Sequence, residues 1–394
     1  MVEAEAQVKF ATLARRTPGL QSSPLGVGMQ GASMQVSDYF SANYAAAREK
    51  FRNAATGASA VQARYHNPAT GPDGLELSCD TAWLGPRGAE RVLIVMSGTH
   101  GAETFSGSAI QVGLLQSGIA SEIARGIGLL LIHAINPSGF AWVRRVTEGN
   151  IDLNRNFIDR AQPYPRNEGY EALRDAICPP EWSGAARSAA DAKLLSYGAE
   201  HGPMALQSAI MAGQYIDDKG VFYGGLQPTW SNRTFREILI SHASAARQVA
   251  FIDLHTGLGP YGYGEIISNH GPKDSGFTRI KDWFGNEATS TEDGSSTSSP
   301  VVGDTNIGLE AALPRAAVGG ITLEYGTESL RDMVDAVRGD NWLHAHGRLD
   351  SPEGRAIKAR IRQAFYPDAD DWRAMVWDRA VDVTRRISRA LTQS

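Results

Sequence analysis

The chain has 394 residues, 42% of them hydrophobic and 21% charged, an ordinary balance for a globular protein with ample core. A formal net charge of −5 with no basic stripe argues against nucleic acid and against an anionic membrane surface as partners. Two cysteines, Cys79 and Cys178, exclude a disulfide framework, and reduced thiols in a cytoplasmic protein are the simpler expectation.

The opening MVEAEAQVKFATLARR lacks the positive start, apolar run and cleavage site of a secretory signal. No window approaches the roughly 18 uncharged apolar residues of a membrane span. Residues 1–36, rich in Gly, Ser and Pro toward their end, read as an N-terminal arm ahead of a domain covering 37–394. From Ser37 the spacing of Phe40, Tyr44, Ala47 and Phe51 predicts a helix behind a Ser-Asp start. Residues 74–83 suggest an edge strand, and the apolar run at 91–96 a strand buried on both faces. A helix is expected across 104–118, with further buried strands at 128–135, 248–254 and 319–325. Strands separated by helices predict an α/β domain with a mainly parallel central sheet. The polar, Ser-rich stretch 286–306 reads as a flexible loop able to act as a lid. Residues 350–394 read as one or two closing helices packed through Trp372, Met375 and Trp377.

The residues that carry chemistry fall at the ends of these strands, where open α/β sheets place their ligands. His100 follows 91–96, Asn136 follows 128–135, His255 closes 248–254, and Glu324 lies within 319–325. In HGAE, the three-residue spacing lets His100 and Glu103 face one point from a turn entering a helix. With His255 they make two imidazoles and a carboxylate, a donor set that leaves a fourth zinc position open. Other divalent ions, iron included, suit the same set. Asp253, two residues before His255, is placed either to orient it or to bond another ligand. Glu324 in an otherwise apolar strand would be costly as an ion unless it met a cation or donors, which suits a base beside an activated water. Arg144, Arg145, Asn154 and Arg155 add donors suited to a carboxylate or an oxyanion. An ordinary surface ion pair accounts for one of the two adjacent arginines but not for Arg155. His344 and His346 are expected to pack.

In this order the segments HGAE, NPSGF, RRVTEGNIDLNRNF, DLHTG and TLEYGT resemble those of the zinc carboxypeptidase superfamily, which includes the aspartoacylase-type deacylases. FSANYAAAREKF, GQYIDDKGVFYGG and PTWSNRT resemble a bacterial branch known only as a domain of unknown function. The resemblance spans about residues 37–350 and implies a single α/β domain with a mixed, mostly parallel sheet and one zinc ion. His100, Glu103 and His255 would bind the metal and Glu324 would be the base. Asn154 and Arg155 would grip a substrate's terminal carboxylate, with Arg144 as a further substrate contact, and Arg145 would polarise the scissile carbonyl. Peptide-cleaving members carry a mobile tyrosine between the third ligand and the glutamate; here that interval holds only Tyr261 and Tyr263, directly after the histidine. The expected activity is zinc-dependent cleavage of an amide bond next to a free carboxylate, on a small peptide or peptide-like compound. N-acyl-amino-acid deacylation is the alternative. A non-catalytic metal-binding recognition protein and an ester or phosphoester hydrolase stand behind them, although no second ligand cluster supports the last. A homo-oligomer is compatible with this composition.

Overall fold

The computed structural model describes residues 35–268 and 270–393. All of the arm expected at 1–36 except Gln35 and Val36 lies outside them. Eight strands form one sheet in the order β1-β2-β4-β3-β5-β8-β6-β7: β1 (Val61–Thr70), β2 (Glu76–Leu84), β3 (Arg91–Ser97), β4 (Gly128–His133), β5 (Gln248–Tyr261), β6 (Gly264–Ser268), β7 (Ala288–Ser290) and β8 (Ala317–Gly326). The central run β4-β3-β5-β8 is parallel, β6 pairs in parallel with β7, and the β1–β2, β2–β4 and β8–β6 pairs are antiparallel. The sheet is thus mixed and mostly parallel, flanked by helices.

Alternation along β3 explains the layering. Leu93 and Val95 enter one core with Phe105, Leu131, Ile252 and Trp372, while Ile94 and Met96 enter a second with Leu130, Phe235 and Phe251. Successive strand side chains point to opposite faces, so a strand covered on both sides must be apolar throughout. The helices Tyr44–Gly57, Thr104–Gln116 and Asp370–Gln393 contribute to the first core, and Trp230–Ala243 and Thr305–Ala312 to the second. A third core is built mainly between helices, from residues such as Tyr170, Phe222, Met333 and Phe365.

Several elements differ from the sequence expectation. Segment 74–83 is not an edge: β2 is paired on both sides, and β1 is the edge beside it. β1 escapes reading because its sequence VQARYHNPAT is polar and carries a proline, a residue tolerated at a sheet edge. The helix expected from Ser37 begins at Tyr44 instead, because the Asn43 side chain accepts from Ala46 N, while Val36–Tyr39 makes a short 3-10 turn. Segment 286–306 is not a plain loop. It contains β7, and Thr305 begins a helix capped by Asp304. The C-terminal part forms two helices, Pro352–Phe365 and Asp370–Gln393, with Trp372 fully buried but Met375 43% exposed and so outside the core. His344 is half-buried near Asp340, and His346 is exposed rather than packed.

Candidate metal centre and substrate pocket

β3 ends at Ser97, and the chain turns through His100 into the 3-10 turn Gly101–Glu103 and then the helix Thr104–Gln116. Gly101 is needed there because a Cβ would lie 1.9 Å from the carbonyl carbon of Gly139. The turn is tied to the next segment: Gly101 N donates to Arg145 O at 3.2 Å and Ala102 N to Arg144 O at 2.8 Å. One strand over, β5 carries His255 in register with Glu324 of β8.

These elements bring His100, Glu103 and His255 together, all buried, with one ligand atom from each lying within 4.8 Å of the others. Among the described residues this is the group of histidine, cysteine and acidic side chains able to hold a metal ion. Glu103 lies between the imidazoles, Oε1 at 2.9 Å from His100 Nδ1 and Oε2 at 3.0 Å from His255 Nδ1. His100 Nδ1 is buried with no aligned hydrogen bond despite that approach, as a nitrogen lone pair reserved for a cation would be. Two imidazoles and a carboxylate fit a divalent ion such as zinc.

Carboxylates brace the far sides of both rings. His100 Nε2 is hydrogen bonded to Asp152 Oδ1 at 3.0 Å, and His255 Nε2 lies 3.0 Å from Asp253 Oδ2 without an aligned hydrogen bond. Asp253 also accepts from the hydroxyls of Thr99 and Thr305. Asp152 also accepts from Arg145 Nε at 3.1 Å, while Arg145 Nη1 donates to Glu103 Oε1 at 2.9 Å. Outer partners of this kind fix ring orientation and tautomer. Asp152 stood inside the IDLNRNF segment without a role, although an acid heading that short turn is the signal that marks it.

The electrostatics follow from the crowding. Burial alone would raise Glu103, yet the imidazoles of His100 and His255 hold its carboxyl well below the usual range. Burial likewise opposes ionisation of Asp152, and the charges of Arg145 and His100 outweigh it, keeping that group low. His255 is desolvated too, but Asp253 and Glu103 raise it well above the ordinary imidazole value. Glu324 goes the other way: burial first, then the charge of Glu103, push it up to about 7. Its Oε1 accepts from Leu258 N at 2.9 Å.

One pocket is lined by His100, Glu103, His255 and Glu324 together with Arg145, Asn154 and Arg155. Met211, Leu258, Met333 and Phe365 give it an apolar wall, and Thr291, Ser298, Ser299 and Val301 close it from the Ser-rich segment. That segment is anchored by Glu265, whose carboxylate accepts from Thr289 Oγ1 at 2.7 Å and from the hydroxyl of Thr297. Arg155 is 3% exposed; its Nη1 and Nη2 donate to the carbonyls of Asn154 and Met211, and its Nε has no partner. Arg144 is not brought to this pocket. Its guanidinium bonds Asp340 Oδ2 and Asn150 Oδ1, because the turn between residues 139 and 145 sends adjacent arginines to opposite sides. Asn136 is likewise structural: its side chain caps the short helix Pro137–Ala141. Tyr261 and Tyr263 are exposed and do not line the pocket.

No curated protein matches the sequence. Solved structures similar to it include bovine thrombin-activatable fibrinolysis inhibitor in complex with tick carboxypeptidase inhibitor, at 12% identity over 89% of this chain and 98% of that one, with a TM-score of 0.39. Another is succinylglutamate desuccinylase from Chromobacterium violaceum, at 18% identity over 81% and 74% of the two chains and a TM-score of 0.33. The murein-tripeptide amidase MpaA from Escherichia coli O157 matches at 16% identity over 73% and 90%, with a TM-score of 0.32. A family model described as "Protein of unknown function (DUF2817)" matches residues 40–379, and the chain belongs to that family.

Proposed function

We propose that the protein is a metal-dependent hydrolase, with one zinc held by His100, Glu103 and His255, that cleaves an amide bond next to a free carboxylate. The observation that carries this reading is the buried His100–Glu103–His255 cluster opening onto the same pocket as Glu324 and Arg155. Zinc bound there would act as a Lewis acid and ease deprotonation of water. Glu324, desolvated and elevated, takes the proton from the attacking water and delivers it to the leaving amine. Arg145, fixed by Glu103 and Asp152 on one side, offers its charge to the scissile carbonyl oxygen as negative charge develops there. Arg155 and Asn154, which line the same pocket, hold the substrate's carboxylate. Peptides and N-acyl amino acids share the carboxylate and the amide that this arrangement handles.

The test joins metal content to turnover. Purified protein is expected to carry about one zinc per chain and to release a C-terminal residue or an acyl group from a panel of peptides and N-acyl amino acids. Chelator should stop the release and added zinc restore it. C-terminal amidation of the same substrates should abolish it. A Glu324→Gln variant should keep the metal and lose about 10²–10⁴-fold in kcat. Wild-type turnover in that variant, or no metal uptake by the native chain, would sink the proposal.

A further inference from the structure

Besides the ring nitrogens His100 Nδ1 and His255 Nε2, two polar groups lining the pocket are buried without a hydrogen-bond partner: Arg155 Nε and the hydroxyl of Ser299. A buried donor left unpaired is destabilising, so an orphan in a native fold calls for an explanation. Ser299 is 8% exposed, so the site's walls rather than bulk solvent surround its side chain.

The chain on either side of Ser299 is held in place. Upstream, Thr297 is bonded to Glu265 through both its hydroxyl and its backbone nitrogen. Downstream, Gly303 O accepts from Phe157 N at 3.0 Å, and its Cα packs so closely on Arg155 O that a Cβ would lie 2.7 Å away. Two residues further, Thr305 N donates to Asn154 Oδ1 at 3.1 Å. The chain downstream of Ser299 is therefore built against the backbone of Arg155 and the side chain of Asn154, and the Ser299 hydroxyl and the Arg155 guanidinium line the same pocket. Both orphans are donors, Arg155 Nε–H by necessity and Ser299 Oγ–H by rotation. A group that accepts only and has room for several donors satisfies them together, and an ionised carboxylate, with about four lone-pair sites, is such a group.

We infer that Ser299 is a substrate-binding residue whose hydroxyl donates to the substrate's free carboxylate beside Arg155. This rests on the carboxylate clamp proposed above and adds to it a contact from the Ser-rich segment. If the hydroxyl waits for a ligand, removing it costs the free protein nothing.

The experiment measures stability and binding in the same variants. On a Glu324→Gln background, which slows turnover, Ser299→Ala and Ser299→Thr are compared by thermal unfolding. Each is then titrated calorimetrically with free-acid dipeptides, N-acetyl amino acids and their C-terminal amides. Ser299→Ala should leave the unfolding temperature unchanged or raise it, and should weaken free-acid binding about 10–150-fold, the size of one hydrogen bond to a charged group. Binding of the amides should hardly change, and Ser299→Thr, which keeps the hydroxyl, should stay close to the parent. A lower unfolding temperature with unaltered affinity would make Ser299 structural and overturn the inference. Carboxylate-selective binding indifferent to position 299 would overturn it while leaving the clamp intact. Absence of carboxylate-selective binding in the parent would overturn the clamp, and Ser299 with it.

Discussion

Asp152 holds two groups at once, His100 through one oxygen and Arg145 through the other, so a single buried carboxylate aligns an imidazole and a guanidinium. The motif containing it was legible as a string, but that double duty was not, because it depends on a turn bringing residues 52 and 7 positions away onto one side chain. The same limit applied to Arg144 and Arg145: adjacent in sequence and chemically alike, they are separated only by which way the backbone carries them. A different buried imidazole gives a residue-scale prediction. His133 at the end of β4 is fully buried, stacks on Phe51 with centroids 4.4 Å apart and shares a hydrogen bond with Ser108. Burial first, then the charge of Arg48, push its pKa down to about 3. As pH falls below about 6.5 the unfolded chain takes up a proton that the folded one refuses, so His133 destabilises the fold on acidification. The loss should reach about 2 kcal/mol by pH 5. Unfolding curves at pH 7 and pH 5 check it: the acid-induced loss should be smaller by that amount in His133→Gln, and an equal loss in both proteins would refute the assignment.

Elements were legible where burial makes the sequence monotonous. The runs at 91–96, 128–135, 248–254 and 319–325 lie in β3, β4, β5 and β8, offset by a few residues, because a strand covered on both faces has little choice but to be apolar. β1 and β7 were not legible: one is a polar edge and the other has three residues, so neither carries a period long enough to count. At the same scale, the His100–Glu103 turn works only because Gly101 lets it press on the helix Pro137–Ala141. A Gly101→Ala substitution puts its methyl into the backbone of Gly139 and Phe140, so one of the two segments must move. The expected result is about 1–3 kcal/mol lower stability, as for overpacking elsewhere, together with weakened zinc uptake. Denaturant unfolding and metal analysis of the variant read the two effects separately. Normal zinc content in a destabilised protein would mean the turn yields without disturbing His100.

Across the whole molecule, strand order was beyond the reach of the sequence. β3 lies between β4 and β5, which begin 120 residues apart in the chain, and nothing local announces that pairing. The C-terminal helix shows how such distant parts depend on each other. Trp372 is fully buried, and its indole nitrogen donates to Gly326 O at 2.9 Å, at the end of the strand that bears Glu324. Trp372→Ala should cost about 3–5 kcal/mol, measurable by denaturant titration; a cost under 1 kcal/mol would show that this helix only rests on the sheet. From Thr104 through Leu115 every residue of the helix behind Glu103 is buried, so the floor of the site is cast into the interior. The wall that carries Ser299 belongs instead to a surface segment fastened mainly through Glu265, Phe157 and Asn154. On the proposed function, reactivity would rest on the casting and selectivity on the wall, which leaves the wall open to redesign for a new ligand while the casting beneath it keeps its shape.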